Sequence, residues 1–348
     1  MQALVRASSE SEDTHLREVP LPSPGPGQVV LKVEAAGVCG TDVEAHLQSL
    51  DASSRLAPPV VIGHEGAGLV AAIGAGIDDL DIGDRVVAET TFSVCGKCRF
   101  CVRGELNLCP HRRGLGSKAN GFFAPFVAVP QGSVHRLPDS IPFDVGAVIE
   151  PLACAVHAVV DQARVSGGET IVVFGPGPTG LLIAAVCSTL GAQVLLLGTS
   201  HSRPRLELAE RFGVARTLSV EADHFSDWIS QVLGLGADVV FECSGKLSAL
   251  ETALGLVRPG GRVVVLGEIR EPLVLHTQVT LLRKELTLTA SKSSVPRSWD
   301  RALELLPPLS EMMGAMITHR FPLRRWREAF ETVERGDGIK VILTPAGV

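Results

Sequence analysis

Four side chains in the first half of the chain are of the types that bind a reactive metal ion. Cys39 lies in Gly37-Val-Cys-Gly-Thr-Asp42, His64 and Glu65 in Gly63-His-Glu-Gly66, and Glu150 in Glu150-Pro-Leu152. A thiolate, an imidazole and a carboxylate form a mixed sulfur, nitrogen and oxygen set for zinc that leaves a position open to water or substrate, and the two anionic donors balance the metal's double charge. By itself a His-Glu pair in a loop serves structure more often than ligation, so the set draws its meaning from the rest of the chain. A second group is more regular: Cys95, Cys98, Cys101 and Cys109 follow the spacing C-x2-C-x2-C-x7-C. Four thiolates so close in sequence close a tetrahedral zinc site with no open position, which is structural rather than catalytic chemistry. An iron–sulfur cluster is the rival, because the run begins like a ferredoxin and Pro110 follows Cys109. The last gap is longer than the bacterial pattern allows, which favours zinc.

A third constellation is built from glycine. Gly175-Pro-Gly177-Pro178-Thr179-Gly180 follows the apolar run Ile171–Phe174 and opens a helical pattern. In that context G-x-G-x-x-G is a tight turn that lets a pyrophosphate approach the N-terminus of the helix. An acid about 20 residues later would accept hydrogen bonds from the ribose 2′-hydroxyl of NAD. None is present, for no Asp or Glu falls between Glu169 and Glu207, and the second strand instead runs into Thr199, Ser200 and Arg203. Small hydroxyl donors and a positive charge suit a 2′-phosphate, so the sequence leans toward NADP over NAD, with the alternative that Arg203 is a solvated residue at a helix start.

These groups need a scaffold, and the chain has the material for one. With 348 residues it is longer than a single hydrophobic core usually grows. Its first 150 residues hold short β-type runs such as Gln28–Val33 and Val60–Ile62 between Pro and Gly turns, an irregular and mostly β unit. From about Glu150 strand and helix patterns alternate: Thr170–Phe174 strand, Thr179–Leu190 helix, Gln193–Leu197 strand, then helices over Arg205–Phe212 and Phe225–Leu233, and strands over Asp238–Phe241 and Arg262–Leu266. Such alternation implies a doubly wound parallel sheet covered on both faces. Beyond about Ala290 the mixed texture returns, so the last segment is expected to rejoin the first domain. The α/β organisation expected is thus residues 1–151 with 290–348, carrying a cysteine lobe at about 92–112, and a dinucleotide-binding domain over 152–289.

Composition excludes several functions. Thirty-two Lys and Arg against 38 Asp and Glu give a net charge of −6 with no basic tract, which argues against a nucleic-acid partner. The uncharged stretch Thr170–Ser202 is broken by Gly175 to Gly180 and is no membrane span. Eight cysteines in a chain of this length, with no apolar segment in its first residues, predict a reducing, cytoplasmic setting and metal binding rather than disulfides. Cys154, Cys187 and Cys243 read as inert core residues.

Taken together, the motifs GVCGTD, GHEGAG, GDRV at Gly83–Val86, the cysteine lobe, EPLA at Glu150–Ala153 and GPGPTG, in this order and at these separations, resemble the medium-chain zinc-dependent alcohol dehydrogenases along essentially the whole chain. The nearest branch is the sorbitol (L-iditol) dehydrogenase-like and threonine dehydrogenase-like enzymes. The resemblance implies a GroES-like, mostly β catalytic domain with a Rossmann domain, one catalytic and one structural zinc per chain, NAD(P), and a secondary alcohol of a polyol, cyclitol or sugar, or L-threonine, as small-molecule substrate. By it Cys39 and His64 are zinc ligands, Glu65 ligates directly or in one coordination state, and Glu150 ligates or holds the metal's water. Asp42 would orient His64, and Thr41 would take the substrate's hydroxyl proton. Relatives are dimers or tetramers, which makes a homo-oligomer the expectation. One departure stands out: Glu44 occupies the place where relatives commonly carry the outer His of the proton relay, and His46 is the candidate substitute.

Overall fold

The computed structural model describes residues 1–48, 56–223, 225–272 and 278–345, which fall into two compact units. The first comprises Met1–Glu150 and Val295–Val348, the second Pro151–Ser294. The return to the first unit comes a few residues after Ala290, because Thr287–Ala290 is a strand of the second unit's sheet, paired in parallel with Arg262–Val265.

The first unit is organised on Gln28–Val38, whose apolar residues are buried on both sides. This strand runs antiparallel to Glu65–Ile73 and, on its other edge, to Lys340–Thr344 near the C-terminus. They belong to a seven-stranded sheet that also holds Arg85–Ala88, Phe126–Pro130, Val134–Arg136 and Ile317–Pro322. Val29, Leu31, Val33, Phe122, Phe123, Trp326 and Val341 lie in its core. Register then decides the chemistry. Gly37 pairs with Glu65 on one side and Ile342 on the other, so the ends of three strands remote in sequence meet where Cys39 begins the helix Gly40–Leu47.

In the second unit six strands pair in parallel, in the order Arg216–Ser219, Gln193–Gly198, Thr170–Phe174, Ala237–Glu242, Val257–Val265 and Thr287–Ala290. Numbered within the unit this is 3-2-1-4-5-6, the order of a Rossmann sheet. The apolar runs IVV and LLL of its central strands are buried throughout, as strands covered on both faces require. Two outer strands, Arg216–Ser219 and Thr287–Ala290, are half-polar and carried no clear period in the sequence.

Candidate active site

The helix Gly40–Leu47 starts at Cys39, and Asp42 reaches back to accept the Cys39 backbone N–H at 3.0 Å, the reciprocal half of an N-terminal cap. The other oxygen of Asp42 lies 3.2 Å from Nδ1 of His64, so a single carboxylate at 4% exposure orients both residues. Around them the ligand atoms of Cys39, His64 and Glu65 fall within 4.8 Å of one another. Burial disfavours a charged His64, but the Asp42 carboxylate and the Cys39 thiol outweigh it and hold the imidazole's pKa well above its ordinary value. Sulfur, nitrogen and oxygen donors gathered this closely fit a divalent cation. Thr41 sits in the first turn of the same helix, half-buried.

Glu65 is 1% exposed and is met by a residue the motifs did not reveal. Lys340 Nζ donates to Glu65 Oε1 at 2.6 Å and to the Val38 carbonyl at 3.1 Å, and it contacts the second carboxylate oxygen as well. The pair is held tight from behind by Gly37, where a Cβ would run into Glu65 and come within 3.0 Å of Lys340 Cε. Burial opposes the Lys340 charge, yet Glu65, Cys39 and Glu150 together keep its pKa above the ordinary lysine value. Lys340 lies 275 residues from Glu65 and reads in sequence as a surface lysine opening a C-terminal strand; its one signal is that it begins an otherwise buried run. Glu150 is buried at 7% at the end of the first unit and acts on Lys340 electrostatically, but it is not one of the three residues whose donor atoms cluster.

The helix also decides where His46 goes. Its ring packs edge-on against Trp326 at 5.2 Å and Phe330 at 5.9 Å, away from any hydrogen-bond partner at Nδ1. Desolvation there lowers its pKa, the behaviour of a packed side chain rather than of a proton carrier.

In the cysteine lobe the sulfurs are 3.5 Å (Cys98 to Cys101), 3.7 Å (Cys109 to Cys95) and 3.9 Å (Cys95 to Cys101) apart. Tetrahedral ligation at about 2.3 Å places sulfurs roughly 3.8 Å from one another, so the lobe already has the size of a zinc site. A cube of iron and sulfide would hold the thiolates farther apart. Backbone N–H groups of Lys97 and Cys98 pull the Cys95 thiol down to about 6, whereas burial and the neighbouring sulfurs push Cys101 up to about 12.

The glycine turn leaves Phe174 at the switch point of the second sheet. Gly175 has φ +92°, and a Cβ there would press on the Ser244 backbone at 2.9 Å across the adjoining strand end. At Gly180 a Cβ would collide with the Gly175 carbonyl, so the first turn of the helix Pro178–Thr189 seats directly on the strand. A Cβ on Gly177, the helix N-cap, would meet nothing within 4 Å. That open space at the helix N-terminus fits a pyrophosphate. Thr179 lies in the first turn behind Pro178 at N1. At the end of the next strand Thr199, Ser200 and Arg203 are exposed. Two of them are engaged with carboxylates: Ser200 N–H donates to Glu221 at 2.8 Å, and Arg203 Nε to Glu207 at 2.8 Å. Glu221 comes from the loop after Arg216–Ser219, a half-polar strand, so no local pattern in the sequence points to it.

Fold and site together define a nucleotide-binding fold and a cysteine–histidine–glutamate cluster of a size that could hold a metal ion. Residues 25–139 match the alcohol dehydrogenase GroES-like domain and residues 178–307 the zinc-binding dehydrogenase domain. A sorbitol dehydrogenase of Halalkalibacterium halodurans is 36% identical over 99% of both chains. An L-threonine 3-dehydrogenase of Saccharopolyspora erythraea is 35% identical over 99% of this chain and 98% of that one. A zinc-binding dehydrogenase of Sinorhizobium meliloti solved with NADP superimposes with a TM-score of 0.88 at 30% identity over 99% of both chains. The chain belongs to the medium-chain zinc-dependent alcohol dehydrogenase family, in its sorbitol and threonine dehydrogenase-like branch. It is a zinc-dependent NAD(P) dehydrogenase acting on CH–OH donors. Among the described residues no helix is long and apolar enough to cross a membrane.

Proposed function

We propose that the chain oxidises a secondary alcohol of a polyol, cyclitol or sugar to the ketone, and reduces the ketone in reverse, with Cys39, His64 and Glu65 as the zinc-binding set and Glu150 behind it. The observation that carries the reading is the convergence of those three donor groups on one point, oriented by Asp42. Zinc, when bound there, supplies Lewis-acid polarisation of the substrate oxygen. Thr41 accepts the hydroxyl proton while passing its own hydroxyl proton outward toward solvent, Asp42 keeps His64 turned toward the metal position, and Lys340 holds Glu65 ready beside it. Gly175, Gly177, Pro178, Thr179 and Gly180 hold the pyrophosphate, and Cys95, Cys98, Cys101 and Cys109 hold a structural zinc.

The oxygen-containing donor set and the EPLA junction favour a polyol-type substrate. The likeness to a threonine dehydrogenase over nearly the full length supports L-threonine as the second reading. The acid-free end of Gln193–Gly198, with Thr199, Ser200 and Arg203, and the NADP-bound relative support NADP as coenzyme. We further infer a cytoplasmic homo-oligomer, dimer or tetramer. Its support is the strand Thr287–Ala290, an outer strand of the sheet, together with Val279 and Leu282, which expose 54% and 78% of their surface. The domain division follows the same reading, with catalysis in residues 1–151 and 290–348 and coenzyme binding in 152–289. A panel of polyols, cyclitols and L-threonine assayed separately with NAD and NADP tests this function. Turnover of polyols at least tenfold better in kcat/KM than of L-threonine supports the first reading; the reverse order overturns it.

A further inference from the structure

The end of the strand Gln193–Gly198 lies beside the glycine turn: a Cβ on Gly198 would meet Pro176 at 2.9 Å and the Ser202 hydroxyl at 2.5 Å. The turn that follows is tied by its own hydrogen bonds, Thr199 N–H to Ser202 Oγ at 3.0 Å and Ser202 Oγ to the Thr199 carbonyl at 2.8 Å. Its outward N–H, on Ser200, has an acceptor from elsewhere. Val220 N–H binds the Gly198 carbonyl at 2.8 Å, which brings the loop after Arg216–Ser219 over this strand end, and Glu221 places Oε2 2.8 Å from Ser200 N. The Ser200 hydroxyl binds the same carboxylate and, with the backbone N–H, holds its pKa below the usual glutamate range. An ionised carboxylate thus stands where the sequence shows none, one strand over from where such an acid is sought.

We propose that Glu221 is the residue that discriminates between the two coenzymes, accepting a hydrogen bond from the adenosine ribose hydroxyls of NAD and disfavouring the 2′-phosphate of NADP. This rests on reading Thr199–Arg203 as the turn that meets the adenosine end of the coenzyme. Two effects act in the same direction. A 2′-phosphate brings two negative charges toward the Glu221 carboxylate, and it seeks the Ser200 N–H that this carboxylate already occupies. Arg203, the nearby cation, is itself paired with Glu207. A ribose 2′-hydroxyl instead donates to Glu221 and leaves the Ser200 hydrogen bond in place. Any preference for NADP is therefore smaller than the acid-free strand end alone implies.

The test compares wild type with Glu221→Gln and Glu221→Ala, both at a solvent-exposed position. Titration calorimetry with adenosine 2′,5′-bisphosphate and with 5′-AMP reads the adenosine end without turnover, and kcat/KM with NADP and NAD reads it in the reaction. Expected for both variants is binding of the bisphosphate at least tenfold tighter relative to 5′-AMP, with a rise of similar size in the NADP to NAD ratio of kcat/KM. Ratios within threefold of wild type in both assays overturn the role of Glu221. The wild-type ratio tests the NADP reading independently: a wild-type enzyme that prefers NAD refutes that reading and leaves the shift on substitution as the measure of Glu221. Failure of wild type and variants alike to bind either nucleotide refutes both.

Discussion

Replacing Lys340 by Met removes the ammonium that hydrogen-bonds the buried Glu65 carboxylate. At the 2.6 Å separation, with an effective dielectric of about 20, the attraction is about 6 kcal/mol. Returning the ammonium to water recovers part of this, and the hydrogen bond to the Val38 carbonyl is also lost. Breaking a buried pair from one side costs about 3–5 kcal/mol, because a carboxylate at 1% exposure keeps its desolvation penalty without its partner. For a domain of this size that is a fall of roughly 6–20 °C in the melting transition of the first unit. Calorimetry of zinc-free and zinc-loaded protein is the assay. The loss should be largest without zinc, since a bound cation beside Glu65 takes over part of the role of Lys340. The double variant Glu65→Gln/Lys340→Met should recover at least about 2 kcal/mol of the loss, as expected when an ion pair is removed from both sides. A zinc-free Lys340→Met protein that loses less than about 1 kcal/mol would refute the buried pair as a structural tie.

Three further outcomes are expected. Cys39→Ala should abolish turnover and lower the zinc content while the circular dichroism and the melting of the second unit stay unchanged; retained turnover removes Cys39 from the ligand set. Cys98→Ser should cost one further zinc per chain in elemental analysis, and a brown wild-type protein absorbing in the visible would replace zinc by an iron–sulfur cluster in the lobe. His46→Phe should keep turnover and its pH profile, because the ring packs among aromatic side chains. The His46 pKa in the folded chain lies below its ordinary value of 6.5, so the unfolded chain takes the proton first and stability falls as pH drops below about 6.5. The variant should lose less stability than wild type between pH 7.5 and 5.5, and an equal or greater loss contradicts the packed, neutral histidine.

Local pattern carried much of this protein. The central residues of three parallel strands, Ile171–Val173, Val194–Leu197 and Val239–Phe241, are apolar because a parallel strand buries both faces, and that is visible in any short window of sequence. The glycine turn and the cysteine lobe are equally legible, since a tight turn and a cluster of four cysteines are made by neighbours in the chain. The mixed texture after about Ala290 also points to a last segment outside the parallel sheet. What folding alone decided is which distant groups meet. Lys340 becomes the partner of Glu65 because the C-terminal strand pairs with Gln28–Val38 in a register that brings Gly37 between them. Glu221 reaches Ser200 because Arg216–Ser219 lies beside Gln193–Gly198 and ends level with it. His46 turns into the aromatic cluster of Trp326 and Phe330 for the same kind of reason. Hydrophobic periodicity records which face of an element is buried, whereas the pairing of charges across strands depends on register and sheet order, which no local window contains.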